Sequence, residues 1–312
     1  MEKNFLNNYY FCADVGGTVI KGGIVDKKYK LLCSDSISSV SVKQDGNLAE
    51  LLIALFKNME EKSGLKLNES SGVGIGLPGL VNSKTGVIKM LPNMGITEYD
   101  IVKKLKKSIA VPIKIGNDAA LATLAEWRLG AGKNHDNFIL ITLGTGVGCG
   151  IVVEGKPLRD TLPYACEFGH NFMDNSCKDC LDFLVSTRAL INRTKLAMQE
   201  NKQSKIWTKY NLENVDGKAV FEFADTDETI KNVLSDYIKD LGMNLVNLCN
   251  IFPPELIIIG GGISKQGKKL TKPLEEYINQ NMFLKNVNAK VKVVPATFLN
   301  DAGILGARCM FE

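Results

Sequence analysis

The chain reads as an α/β protein of two related halves with a cleft between them. Three observations carry this reading. At 312 residues it is long enough for two domains of ordinary size. A pattern of apolar run, glycine turn and apolar run occurs twice, about 130 residues apart. Each copy is followed by helix-period and strand-like stretches, as α/β architecture requires.

The first copy is residues 11–26, FCADVGGTVIKGGIVD. Two strand-like runs joined by Gly16-Gly17-Thr18 predict a β-hairpin. Residues 30–42 alternate enough for one more strand. Residues 47–62 place Leu48, Leu51, Leu52, Leu55, Phe56 and Met59 at helical spacing, an amphipathic helix. Residues 72–81, GVGIGLPGLV, read as a buried strand running into a Pro-Gly turn. Residues 86–90 suit a short strand, and Leu91, Pro92 and Asn93 a loop. Residues 98–109 read as helix and 112–115 as strand. Asp118 then stands as the cap of a helix to about Leu129.

The second copy begins at FILIT, residues 138–142, followed by the glycine turn LGTGVGCG and a strand at 151–153. Residues 256–259 read as a buried strand ending at Gly260-Gly261-Gly262. A helix over 264–280, a strand over 291–294 and a last helix from about Asn300 complete the order. Residues 193–217 are polar and belong to surface helices and loops. The expected domains are residues 1–117, completed by the C-terminal helix at about 299–312, and residues 118–298.

Composition excludes several classes. Net charge is +4, and the Lys103, Lys104, Lys106, Lys107 cluster suits the solvated face of a helix, so no nucleic-acid partner is expected. The start, MEKNFLNNYY, has no apolar core of a secretory signal. No apolar run reaches the roughly 18 residues that span a bilayer. The expectation is a cytoplasmic protein whose 8 cysteines are reduced and mostly buried, with no membrane partner.

Several motifs carry chemistry. Glycine turns let backbone N–H groups approach an anion and allow a positive φ. Asp14, at a strand end, can hold a hydrated Mg²⁺; Thr18 and Thr145 can offer hydroxyls to phosphate, and Lys21 adds charge. LGTGVGCG superficially contains a dinucleotide-type glycine pattern, but strand-like residues follow where that fingerprint needs a helix. No Gly-Lys-Ser/Thr phosphate loop is present. Asn117 and Asp118 lie at a strand-to-helix junction, where both an ordinary cap and a ligand-facing carboxylate are found. Glu167 and His170 frame Phe168-Gly169, and the chain has only 2 histidines. Cys177 and Cys180 form a Cys-x-x-Cys spacing, for which metal binding, redox chemistry and plain packing compete.

Together these motifs resemble the ROK family of sugar kinases and sugar-responsive repressors, within the actin-like ATPase superfamily. Asp14 to Thr18 with Lys21 resemble its first phosphate motif. Gly76-Leu77-Pro78-Gly79 and Pro92-Asn93 resemble its sugar-side loops, and Asn117-Asp118-Ala119 its catalytic segment. Gly144-Thr145-Gly146-Val147-Gly148 resemble the second phosphate motif. Glu167 to His170 resemble the head of the family signature, and Gly260, Gly261 and Gly262 the nucleotide-side glycines. The signature normally continues Cys-x-Cys-Gly-x-x-Gly-Cys-Leu-Glu, with three cysteines joining a histidine on zinc. Here it reads Cys177-Lys178-Asp179-Cys180-Leu181-Asp182, four residues shorter. Cys180 aligns with the third cysteine, and Asp182 with the glutamate that touches sugar.

The resemblance implies two actin-like (ribonuclease H-like) domains around a central cleft, and a homodimer. It implies an ATP-dependent hexose kinase acting on glucose at the 6-hydroxyl, with Asp118 as general base and Mg²⁺ on Asp14. Gly79, Asn93, Asn117, Asp118, Glu167, His170 and Asp182 would hold sugar. Gly16, Gly17, Thr18, Lys21, Gly144, Thr145, Gly146 and the Gly260–Gly262 run would hold ATP. His170, Cys177 and Cys180 would be the zinc ligands, one cysteine short of the family's set, so zinc-bound and zinc-free segments both stay open. Fructose, N-acetylmannosamine and N-acetylglucosamine are alternative acceptors. A sugar-sensing repressor is the non-enzyme alternative; the 13 residues before Asp14 are too few for the helix-turn-helix such repressors carry there.

Overall fold

A computed structural model describes residues 8–42, 46–158, 164, 166–173 and 178–312. The chain forms two compact units. One takes the chain through Arg128 together with Asp301–Glu312; the other takes Leu129–Leu158 and Cys166–Asn300.

In the first unit, β1 (Tyr9–Val15) and β2 (Val19–Asp26) form the expected hairpin, and β3 (Leu31–Ser38) adds to β2. Helix α1 (Leu48–Ser63) buries Leu48, Leu52, Leu55, Phe56 and Met59 and ends at Gly64, whose φ is 75°. That left-handed residue lets the chain turn back, as helix C-termini commonly do. The crossover returns as β4 (Val73–Leu77), parallel to β1. As expected, this buried strand runs into a Pro-Gly turn, where Gly79, with a φ of 148°, leads the chain into β5 (Leu80–Asn82). β6 (Val87–Leu91) and β7 (Ile96–Tyr99) complete a small antiparallel sheet with β5. The expected loop at 91–93 is instead entered through a 3₁₀ turn at Pro92–Met94.

The helix predicted over 98–109 shrinks to α2 (Ile101–Leu105). Pairing of β7 with β6 claims residues up to Tyr99, and the Asp100 side chain caps α2 by accepting from the Lys103 N–H at 3.0 Å. β8 (Ile113–Asn117) then lies parallel to β4 and leads into α3 (Asp118–Leu129). The main sheet has the order β3-β2-β1-β4-β8. The C-terminal helix, Ala302–Cys309, is buried along its length and packs on β1 and β4. It comes close through small residues: a Cβ at Gly74 would overlap the Ala307 backbone, and one at Gly306 the Leu121 backbone.

The second unit repeats the plan. β9 (Phe138–Leu143), β10 (Val147–Val153) and β11 (Lys156–Pro157) are antiparallel neighbours. Helices α4 (Leu181–Leu184), α5 (Thr187–Glu200), α6 (Gly217–Phe223) and α7 (Glu228–Ile251) follow. β12 (Leu256–Gly260), buried throughout, is parallel to β9, and after α8 (Lys268–Asn281) β13 (Lys292–Pro295) is parallel to β12. The order β11-β10-β9-β12-β13 matches the first sheet strand for strand. The helix expected over 264–280 is split. Residues Gly262–Gln266 form a 3₁₀ turn, and Gly267, with a φ of 56°, breaks it from α8. The sequence reading left α7 unassigned, although Tyr237, Leu241 and Leu245 on it anchor the core of this unit.

Candidate functional site

The first glycine turn occupies the three residues between β1 and β2. The Gly16 N–H donates to the Val19 carbonyl at 2.9 Å. Ser39 clamps the turn from behind. Its Oγ donates to the Gly16 carbonyl at 2.7 Å and its N–H to the Thr18 carbonyl at 3.0 Å. Gly17 and Thr18 are exposed at the tip. A Cβ at Gly17 would meet nothing within 4 Å, and its φ lies outside the left-handed region. The positive φ expected for this turn is therefore absent at Gly16 and Gly17, and open access to the backbone is what glycine contributes.

Asp14 is half-buried beside this turn and faces its ladder partner Lys21. A Cβ at Gly303 would come within 2.6 Å of Asp14 Oδ2, and one at Gly76 within 3.5 Å of Oδ1. The carboxylate thus fits a recess that only glycine leaves open, at the start of the C-terminal helix. Burial pushes the Asp14 carboxyl above its ordinary value, with the Lys21 ammonium partly opposing. A half-buried carboxylate at a strand end beside an exposed glycine turn suits a hydrated divalent cation.

The strand-to-helix junction of the same unit resolves which residue is the cap. The Asn117 Oδ1 accepts from the Ala120 N–H at 3.1 Å, the hydrogen bond of an N-cap, and its Nδ2 donates to the Gly79 carbonyl at 3.1 Å. Asp118 is the first residue of α3, half-buried, and its Oδ1 accepts from its neighbour's N–H, Ala119, at 2.8 Å. The expected Asp118 cap is corrected by one residue: the shorter path from the strand end to the helix N–H groups runs through Asn117. Asn117 also ties the Pro78-Gly79 turn to this junction. Asn93 is exposed on its 3₁₀ turn.

In the second unit, Gly144, Thr145 and Gly146 fill the gap between β9 and β10. The Gly144 N–H donates to the Gly146 carbonyl at 3.0 Å. The start of α5 holds the turn: Thr187 Oγ1 donates to the Leu143 carbonyl at 3.0 Å and the Arg188 N–H to the Gly144 carbonyl at 3.3 Å. Gly261, with a φ of 84°, packs so close beneath that a Cβ would overlap the Leu143 carbonyl oxygen. Gly144, Thr145 and Gly262 open onto a cavity of about 910 Å³. Arg188, Lys195, Lys218 and Lys265 also line it, with Asp216 opposite in charge. A groove of about 930 Å³ along α7 and α8 has no glycine turn on its walls. A cavity floored by exposed backbone and ringed by cations suits a polyphosphate with an attached body.

Glu167 precedes a 3₁₀ turn, Phe168–His170, in the same unit. Phe168 and Gly169 are buried, Glu167 is half-buried and His170 is exposed. Asp182, on α4, lies against this turn, and its Oδ1 accepts from the Val147 N–H at 2.7 Å. Of the expected zinc ligands, His170 and Cys180 are described, and Cys177 lies outside the described residues. Among the described residues no three His, Cys, Asp or Glu side chains are grouped to hold a metal, and no helix is long and apolar enough to cross a membrane.

The sequence reading did not single out Ser39, Gly303, Thr187 or the four cations of the cavity. No local signal marks them: each comes to lie beside residues distant in sequence.

The chain is similar to known proteins over most of its length. A glucokinase of Halalkalibacterium halodurans is 33% identical, over 96% of this chain and 94% of that protein. A ROK family glucokinase from Streptomyces griseus, solved in complex with glucose and AMPPNP, has a TM-score of 0.83 at 26% identity, covering 96% of this chain and 97% of that one. A xylose repressor of Caldicellulosiruptor bescii is 26% identical over 90% of this chain and 74% of its own length. With the duplicated β3-β2-β1-β4-β8 sheet plan, the two anchored glycine turns and a match of the ROK family profile over residues 10–312, the chain belongs to the ROK family.

Proposed function

We propose that the chain, an ATP-dependent sugar kinase, transfers the γ-phosphoryl group of ATP to the 6-hydroxyl of a hexose, with glucose as first acceptor. One observation carries the choice of base: Asn117 takes the capping hydrogen bond, so the structural reading of Asp118 as the cap loses its support. The likeness to glucokinases supports the acceptor.

Phosphoryl transfer asks the protein for positioning and charge neutralisation more than for covalent chemistry. The acceptor O–H proton passes to the Asp118 carboxylate as the new O–P bond forms and the bond to the β-phosphate oxygen breaks, releasing ADP. The sugar-side residues of the first unit are Asn117, Asn93 and the Gly79 loop; those of the second unit are Glu167 and His170. The Gly16 and Gly144 N–H groups close their own turns, so the Gly17 and Gly146 N–H groups, the Thr18 and Thr145 hydroxyls and Lys21 hold phosphate oxygens. The cations around the Gly144–Gly262 cavity receive the nucleotide. Asp14 would hold Mg²⁺, which when bound supplies charge neutralisation at the phosphates.

A coupled ADP-release assay over glucose, fructose, N-acetylmannosamine and N-acetylglucosamine tests the acceptor. Glucose is expected to give the highest kcat/KM. Asp118→Asn is expected to lower kcat by about 10²–10⁴-fold while sugar affinity is retained. A kcat within about threefold of wild type would remove Asp118 as base. Sugar binding without turnover of any acceptor would favour a sensor, the reading that the xylose repressor likeness supports.

A further inference from the structure

Asp182 aligns with a family glutamate that touches sugar, yet its carboxylate is engaged within the protein. Oδ1 accepts from the Val147 N–H at 2.7 Å, just past the second glycine turn. A carboxylate on a backbone N–H at that distance is a strong, charge-assisted bond. Two glycines make room for it. A Cβ at Gly146 would come within 2.6 Å of Oδ2, and one at Gly169 would overlap Oδ1. Gly146 belongs to the turn above the nucleotide cavity, and Gly169 lies between Glu167 and His170. The carboxylate therefore sits wedged between the phosphate turn and the sugar-side segment. Its own helix is fastened to that segment as well, since the Leu181 N–H donates to the Asn171 carbonyl at 2.8 Å.

We infer that Asp182 is a positioning residue, a strut that fixes the second phosphate turn against the Glu167–His170 segment, rather than a ligand of the sugar. The side chain one methylene shorter than glutamate reaches the Val147 N–H and fills the Gly146–Gly169 recess. A glutamate there would extend past the recess. Acceptor recognition in this unit then falls to Glu167 and His170. The inference rests on the kinase reading for the identity of the two ligands, but the strut itself is a property of the unliganded fold.

Three variants, Asp182→Ala, Asp182→Asn and Asp182→Glu, separate the two roles. ATP and glucose affinities are measured separately by calorimetry, and backbone hydrogen exchange is followed across residues 143–150 without ligand. A strut predicts that Asp182→Ala weakens ATP about tenfold, leaves glucose within about twofold and speeds exchange of the Val147 amide about tenfold. Asp182→Asn, which keeps an oxygen acceptor in place, is expected to stay near wild type in all three. Asp182→Glu is expected to resemble Asp182→Ala. Loss of glucose affinity in Asp182→Ala, with ATP affinity and exchange unchanged, would overturn the inference. Should Asp182→Ala not fold, Asp182→Asn carries the test: near-wild-type binding supports the strut, and selective loss of glucose overturns it. A wild type that releases no ADP with any hexose overturns the kinase reading instead, because the exchange measurement involves no ligand.

Discussion

The two glycine turns share a length, a place in the sheet and an exposed threonine, but they are held differently. The first, Gly16 to Thr18, is gripped from one side: Ser39 accounts for both carbonyl contacts, and the tip stands open. The second, Gly144 to Gly146, is gripped from three. The start of α5 takes the Leu143 and Gly144 carbonyls, Asp182 takes the Val147 N–H, and Gly261 presses from beneath. One sequence signature thus covers two mechanical situations. In the first turn Gly17 leaves the tip open; in the second, Gly146 serves the packing of the protein itself.

That contrast can be broken most strongly at Gly261. Alanine there meets a φ of 84° and the Leu143 carbonyl, so Gly261→Ala is expected to cost about 3 kcal/mol in denaturant titration. A loss below about 1 kcal/mol would mean that the second turn shifts freely and is not tightly held.

A paired substitution sharpens the same point. Gly146→Ala is expected to destabilise by about 1–3 kcal/mol because its Cβ runs into Asp182, whereas Gly17→Val is expected to change stability by no more than about 0.5 kcal/mol. Gly17→Val is expected instead to weaken ATP at least about tenfold, with sugar affinity kept. Equal losses of stability in the two variants would show the turns to be equivalent. An intact ATP affinity in Gly17→Val would place the first turn on another ligand.

Ser39→Ala removes the Oγ bond to the Gly16 carbonyl but keeps the N–H bond to Thr18. About 1 kcal/mol is expected, read as ATP weakened about fivefold. Unchanged ATP affinity would show that one backbone bond suffices to hold the tip.

The smallest effect concerns charge. Burial raises the Asp14 carboxyl and Lys21 opposes that rise. If the ionised form is the active one, kcat/KM for ATP falls as pH drops through this value. Lys21→Met removes the opposing charge, so the acid limb is expected to move to higher pH. A limb that stays in place, or moves down, would separate Asp14 from the acidic loss of activity.

Both hairpins, helix α1 and the buried strand β12 were legible in the sequence, because each depends on periodicity and turn residues a few positions apart. The expected helix over 98–109 failed where β7 pairs with β6, and the helix over 264–280 split where Gly267 adopts a left-handed φ. The local settings of the motif residues could be read: Asp14 near a strand end, the glycine turns between strands, and Asn117 with Asp118 at a strand-to-helix junction. Their duties could not. Whether Asn117 or Asp118 caps α3 turns on one hydrogen bond to Ala120.

The sequence by itself determined a duplicated α/β chain with two glycine turns and a carboxylate at a strand-to-helix junction. Those features arise from the local conformational demands of glycine, β-branched and apolar residues. The tertiary structure decided what holds the turns and what each carboxylate touches. Ser39, Gly303, Thr187 and the cations at Arg188, Lys195, Lys218 and Lys265 reach their places only when separate elements pack together. Asp182 is the clearest case. Its contact with Val147 spans 35 residues, and only the fold places the two at hydrogen-bond distance.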